Sequence, residues 1–351
     1  MKVIKSLQLA IVAIGASCIT LSASAQDNTL LGAGSTFVYP LFSKIFADYG
    51  QKHDVKVNYQ SIGSGGGILQ LTNKTVDFGG SDAPLNADQA KKMGAAVLHI
   101  PMASGAVVIT YNIPGVTTAL NLNGKDLADI YLGKLTNWNS PEIAATNKGV
   151  KLPDLPIVVV HRSEGSGTSF IFTDYLTKVN TDWAAKVGKA AAVNWPAGLG
   201  GKGSEGVAGL VKQTPGAIGY VELIYALQNK MIFANMQNKS GKFITPSLAS
   251  TTLASKIDAL PADGIVSLTN TDNAAGYPIS SFTWALIYKE QKYSDRSAAK
   301  AKMLLDLLWY NIHDGQKDCT PLNYAPLSKT AVKVAENILK SATYDGKAIL
   351  K

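Results

Sequence analysis

Three stretches of this 351-residue sequence share a layout suited to holding a small anion. In each, extended apolar residues lead through a Gly/Ser/Thr turn into an amphipathic helix. They are Gly32-Ala33-Gly34-Ser35-Thr36-Phe37, Ile62-Gly63-Ser64-Gly65-Gly66-Gly67, and Arg162-Ser163-Glu164-Gly165-Ser166-Gly167-Thr168-Ser169. The first N–H groups of a helix have no intrahelical partner. Aligned with the helix dipole, they favour a negative ligand. Glycines let backbone approach that ligand closely, and hydroxyls add donors. A single junction of this kind ordinarily only caps its helix. Three together, one of them opened by an arginine, carry more weight. Of 33 basic residues only Arg162 and Arg296 are arginine, so an Arg inside a Gly/Ser/Thr cluster needs a reason. The remaining chemistry-bearing residue is Asp82, in Val76-Asp77-Phe78-Gly79-Gly80-Ser81-Asp82-Ala83-Pro84. Taken alone it reads first as a turn aspartate ahead of Pro84.

Other chemistries fail on inspection. Around Gly201-Lys202 the P-loop spacing puts Gly203 where Ser or Thr is needed and Pro196 where the first Gly belongs. The four histidines, 53, 99, 161 and 313, are isolated and offer no metal-ligand spacing. No G-x-S-x-G elbow is present, and His161 beside Arg162 reads as a strand-end residue. The expectation is a binding protein without metal or cofactor, not an enzyme.

The elements that must position these residues alternate β-branched runs with helical stretches, which predicts an α/β fold. Val55 to Tyr59, Val107 to Tyr111, Ile157 to Val160 and Trp284 to Tyr288 read as strands. Val38, Leu41, Phe42, Ile45, Phe46 and Tyr49 form one apolar helical face. Phe170 to Val179 and Ala298 to Tyr310 read as further helices, and Ser140-Pro141-Glu142 as a helix cap with Pro at the first helical position. Residues 234–275, rich in Ser, Thr, Asn and Ala, read as surface elaboration.

Lys2 and Lys5, the apolar run Leu7 to Leu21 and the Ala23-Ser24-Ala25 triplet have the form of a cleaved secretory signal over residues 1–25, with the mature start at Gln26. The run falls short of the ~18 apolar residues a membrane span requires. Lipid anchoring at Cys18 is disfavoured by Gly15, which stands where such sites usually carry Leu. Of the two cysteines only Cys319 then remains, so packing and not a disulfide must hold the mature chain. Its length suggests two domains. The net charge of +8 falls to +6 with the loss of Lys2 and Lys5. No lysine run exceeds Lys91-Lys92, which argues against nucleic acid and for small-anion approach.

The sequence also resembles the periplasmic phosphate-binding proteins of the phosphate-specific ABC transport system. The segments that carry the resemblance are AGSTF at 33–37, NYQSIGSGGG at 58–67, TVDFGGSDAPL at 75–85 and DIYLGKLTNW at 129–138. RSEGSGTSF at 162–170, NWPAGLGGKG at 194–203 and PGAIGYVE at 215–222 continue it. It implies a two-domain, Venus-flytrap fold with the ligand cleft between the domains and two chain crossings. The expected division is 26–111 with 281–351 as the first domain and 112–280 as the second. Thr36, Phe37, Ser64 and Asp82 would face Arg162, Ser166, Gly167 and Thr168 around inorganic phosphate. Glu164 would pair with Arg162 where the family more often has Asp. The implied partner is the transmembrane permease of an ABC transporter, the implied location the periplasm, and the implied state a monomer.

Physical chemistry then gives Asp82 a role. A carboxylate inside an anion site repels its ligand unless the ligand brings a proton. Phosphate keeps at least one O–H at neutral pH, which Asp82 can accept, whereas sulfate has none to offer. The competing readings are a receptor for sulfate or molybdate, an enzyme acting on phosphate esters, and a surface interaction protein of the same fold that has lost its ligand.

Overall fold

The computed structural model describes residues 28–257 and 259–351. The expected signal segment 1–25, its Cys18 and the mature start at Gln26 lie outside the described residues. Eight strands follow one another across a twisted sheet. Their order is Lys56–Ser61, Thr29–Gly34, Phe78–Ser81, Ser280–Tyr288, Val97–Tyr111, Ala217–Glu222, Val158–Arg162 and Leu199–Gly201. A short strand, Ile232–Phe233, adds to the far end of Val97–Tyr111.

The 15-residue strand Val97–Tyr111 belongs to both halves of the sheet. Through Ala106 it pairs antiparallel with Ser280–Tyr288, and from Val107 onward with Ala217–Glu222. We call the two half-sheets, with their helices, the first and second lobes. In the first lobe Thr29–Gly34 lies parallel to both Lys56–Ser61 and Phe78–Ser81. The chain leaves that central strand by the helix Tyr39–His53 on one side and returns by Ser64–Thr72 on the other. This is a topological switch point, and the crevice outside the carboxyl ends of such strands is where α/β sheets take ligands. In the second lobe Val158–Arg162 lies parallel to Ala217–Glu222 and Leu199–Gly201. The turns that follow Gly34 and Ser61 thus meet those that follow Arg162 and Gly201.

Burial follows the predicted faces. Leu41, Phe42, Ile45, Phe46 and Tyr49 of the helix Tyr39–His53 are buried, and Phe42 and Phe46 pack edge-on against Phe78. The second lobe centres on Phe172, stacked on Tyr220 at 4.3 Å between centroids, with Tyr131, Trp183 and Trp195 around them. Burying a side chain of this size contributes roughly 1.5–3 kcal/mol, so each lobe has a core able to hold its half of the cleft. His161 stacks on Trp195 at 4.8 Å, consistent with its reading as a strand-end residue. Cys319 is free and buried.

Some expectations need correction. The helix expected from Phe170 begins at Gly167, because Ser166 Oγ accepts the Ser169 N–H at 3.2 Å and extends it by a turn. Ser140 does precede a helix with Pro141 in its first turn, but its hydroxyl donates to the Asn137 carbonyl and makes no cap. Residues 234–275 are not mere surface elaboration. Met236 and Leu268 are buried, the Gly264 carbonyl accepts from Trp284 Nε1 at 2.9 Å, and Ser267 and Thr269 donate to the buried Asp174. Such long-range contacts leave no periodic trace in a Ser/Thr/Asn-rich stretch.

Candidate functional site

The three Gly/Ser/Thr turns converge between the lobes. Thr36, Phe37, Ser64, Asp82, Arg162, Ser166 and Thr168 are all at least 98 % buried. The first lobe's strand Thr29–Gly34 ends at Gly34, with φ at +137° and the Gly80 carbonyl 2.1 Å from where a Cβ would stand. Only glycine fits there, and this close approach brings Ser35 and Thr36 against the end of Phe78–Ser81. The next residue after that strand is Asp82.

Hydroxyl groups hold Asp82. Ser35 Oγ lies 2.7 Å from both carboxylate oxygens, and Thr283 Oγ1 donates to Oδ1 at 2.7 Å. Ser64 Oγ lies 3.4 Å from Oδ2 and accepts the Asp82 N–H at 3.3 Å. Burial pushes the Asp82 pKa up to about 6, while the hydroxyl bonds and the Arg162 charge pull it back down. A carboxyl near neutrality can exchange a proton with a ligand, as a proton-sharing site requires.

The second lobe supplies donors. Arg162 is the last residue of Val158–Arg162. Its Nε donates to Glu164 Oε1 at 3.0 Å and its Nη2 pairs with the same oxygen. Its Nη1 donates to Thr168 Oγ1 at 3.3 Å. Its own N–H is held by Tyr220 Oη, which also meets Ser169 Oγ at 2.6 Å. Glu164, longer by one methylene than the expected Asp, closes the pair without difficulty, and its Oε1 also accepts the Gly203 N–H at 3.1 Å. The guanidinium is therefore oriented from two sides, its position set by the protein before any anion arrives.

The lobes touch across this site, so the cleft is closed. Gly167 N–H donates to Ser64 Oγ at 3.1 Å, and Gly65 N–H to the Gly165 carbonyl at 2.9 Å. Thr36 Oγ1 lies 2.9 Å from Ser204 Oγ and accepts the Ser204 N–H at 3.3 Å. The Thr36 carbonyl accepts from Tyr225 Oη at 2.6 Å. Gly167 has no room for a side chain: a Cβ would stand 2.5 Å from both Asp82 Oδ2 and Ser64 Oγ. Phe37 is anchored beside these contacts, its carbonyl accepting from Tyr324 Oη at 2.6 Å.

All eight residues expected at the ligand, and Glu164, therefore meet at one place. Sequence reasoning did not single out Ser35, Thr283 and Ser204. Ser35 sits inside a turn already noted, so its type and position were a usable signal. Thr283 lies 201 residues from Asp82 in an unbroken buried strand, where nothing local marks it. Gly203 and Ser204 open the helix Gly203–Gln213, a further helix start brought to the cleft.

Among the described residues no group of three or more His, Cys, Asp and Glu side chains could hold a metal ion, and no helix is long and apolar enough to cross a membrane. The donor set is hydroxyls, backbone N–H groups and one guanidinium facing the Asp82 carboxyl, chemistry suited to a partly protonated oxyanion.

Comparison with known proteins agrees with this chemistry. Residues 21–308 match the model of the PBP superfamily domain. The chain is 45 % identical over 308 residues to the phosphate-binding protein PstS of Xylella fastidiosa strain 9a5c, covering 87 % of this chain and 83 % of that protein. It is 39 % identical over 336 residues to PstS of Pasteurella multocida, covering 94 % and 96 %. Among solved structures, a high-affinity periplasmic phosphate-binding protein, PfluDING, determined with phosphate bound, superposes with a TM-score of 0.69. It is 20 % identical, with 88 % of this chain and 92 % of that one covered, a likeness that establishes the two-domain fold.

Proposed function

This chain belongs to the PBP superfamily, among the phosphate-binding proteins named PstS, and from that premise we propose that it captures inorganic phosphate by closing two lobes around it and delivers it to the permease of an ABC transporter. The observation that carries the reading is the opposition of Asp82 and Arg162, both buried, across a cleft lined by helix starts. In this scheme Thr36, Phe37, Ser64, Ser166, Gly167 and Thr168 turn their hydroxyls and N–H groups to the phosphate oxygens. Arg162 neutralises the anion's charge, and Glu164 and Tyr220 hold the guanidinium in place. Asp82 accepts the proton phosphate retains, which makes it the selectivity element and not the affinity element.

A charge-assisted hydrogen bond to Asp82 is worth roughly 1.5–3 kcal/mol, or about ten- to a hundredfold in affinity. Sulfate would place an unprotonated oxygen against the same carboxylate. The receptor-for-sulfate reading is therefore disfavoured by Asp82, and the named relatives are binding proteins and not enzymes. The same reading has the chain exported through cleavage after Ala25, working as a monomer in the periplasm. It places the hinge at the adjacent strands Val97–Tyr111 and Ser280–Tyr288, dividing the domains near residues 111 and 280.

Equilibrium dialysis of the anion-stripped mature protein against labelled phosphate tests the function. Saturable binding of one phosphate per chain is expected. Absence of binding at millimolar phosphate overturns it.

A further inference from the structure

A second carboxyl lies behind the site, and the scheme above does not use it. Glu222 ends the strand Ala217–Glu222 and pairs with Val107, the first residue at which the shared strand changes partners. It is fully buried. Its Oε2 accepts the Ile224 N–H at 2.6 Å, while Oε1 has no hydrogen-bond partner.

The groups that bury Glu222 come largely from the opposite lobe. Oε1 stands 3.2 Å from where a Cβ of Gly105 would be, and the Phe37 ring lies 2.5 Å from that same point. From the first lobe, Tyr324 and Asp82 face it as titratable groups. From its own lobe, Tyr225 on the helix Leu223–Gln228 faces it, with Glu205 hydrogen-bonded to that phenol. Arg162 acts on Tyr225 and on Asp82. Tyr324 donates its one proton to the Phe37 carbonyl, and Glu222 Oε1 is left without a partner. An ionised Glu222 would compete for that proton and meet the Asp82 charge without a cation of its own. A neutral Glu222 avoids both.

We propose that Glu222 is a neutral carboxylic acid in the closed cleft and ionises when the lobes part, so that closure around phosphate takes up a proton at the hinge. Glu222 is then a positioning residue: it supports the Tyr324 bond to Phe37 and makes closure pH-dependent. This rests on the phosphate-capture reading. Burial drives the Glu222 pKa well above the usual carboxylate range, with Asp82 pushing the same way. Parting the lobes draws Phe37, Tyr324 and Asp82 away from it and admits water, returning the group towards its ordinary pKa. The sign follows: the closed state binds more protons, so this contribution to affinity is present in full below the ordinary carboxylate range. It fades as pH rises towards the closed-state pKa, by up to about tenfold in Kd per pH unit.

The test is calorimetric titration of phosphate into the mature protein at pH 7 in two buffers of different ionisation enthalpy, for wild type and Glu222→Gln. Proton uptake per phosphate bound is expected to be greater in wild type than in the variant, by up to about one proton. Wild type is also expected to lose affinity with rising pH more steeply than the variant. Equal uptake in the two proteins overturns the proposal while leaving phosphate capture intact. Absence of phosphate binding by wild type overturns the capture reading itself. Should the Gln variant not fold, infrared difference spectra of the Asp82→Asn protein serve instead. A protonated-carboxyl band gained on phosphate binding is expected, and no gain contradicts the proposal.

Discussion

The first lobe brings to the cleft a carboxylate held by hydroxyl groups, and the second brings a guanidinium held by a carboxylate. Asp82 is fixed by Ser35 and Thr283, which carry no charge and leave its own charge unbalanced locally. Arg162 is fixed by Glu164, which cancels much of its field, and by Thr168 and Tyr220. The contrast separates two tasks. The second wall offers donors to any small oxyanion, and its arginine is positioned so that little side-chain entropy is lost on binding. The first wall offers an acceptor, which rewards only an anion that carries a proton. Affinity is built on one side of the hinge and discrimination on the other.

Substitutions on the two walls should therefore fail differently. The largest effect belongs to the donor wall. Arg162→Ala removes the buried positive charge and leaves the bound anion unpaired in the closed cleft, a loss of about 3–5 kcal/mol. Phosphate Kd measured by dialysis should rise on the order of a hundred- to several-thousandfold, and sulfate affinity, if measurable, should fall with it.

Next comes a pH effect on the acceptor wall. Asp82 has a folded pKa raised from 3.8 to about 6, so the folded state holds that proton more tightly than the unfolded chain does. Its stabilising contribution is full below about pH 4 and is lost as pH rises through 6, to the extent of roughly 3 kcal/mol. Denaturant titrations of anion-free protein at pH 4 and pH 6.5 should show wild type losing about 2 kcal/mol of this relative to Asp82→Asn. Parallel curves for the two proteins would mean that Asp82 is ionised throughout.

Gly167→Ala addresses the meeting of the walls. The added methyl group collides with Asp82 and Ser64 across the cleft, and overpacking of this kind costs about 1–3 kcal/mol. Small-angle scattering with saturating phosphate should show the variant more open than wild type, with each lobe intact. The smallest effect is expected for Thr283→Val, which removes one hydroxyl from Asp82 at a cost of about 1 kcal/mol. Phosphate affinity should fall about fivefold while sulfate affinity, which rests on Arg162, stays unchanged, so that discrimination narrows.

The donor wall was the more legible of the two in the sequence. Arg162 to Ser169 is one continuous segment whose arginine, acid, glycines and hydroxyls fold into a strand end, a turn and a helix start, so that local chemistry announces the local structure. Asp82 was visible only as a turn residue until the resemblance gave it a ligand. Its support was hidden because Thr283 comes from a strand some two hundred residues away, and Glu222 was hidden because an acid in an apolar strand end gives no hint of which lobe will cover it. The same limit applies to residues 234–275, whose anchors, Trp284 and Asp174, belong to other elements. Helix faces and turn chemistry are local properties, whereas closure across a hinge is set by residues far apart in the chain.

The central claim is that a proton on the ligand, accepted by Asp82, separates phosphate from its competitors. Calorimetric titration of the stripped mature protein with phosphate and then sulfate at neutral pH, for wild type and Asp82→Asn, tests it most directly. One-to-one phosphate binding with negligible sulfate heat is expected in wild type, and a phosphate-over-sulfate preference reduced about ten- to a hundredfold in the variant. An unchanged preference in Asp82→Asn would contradict the claim.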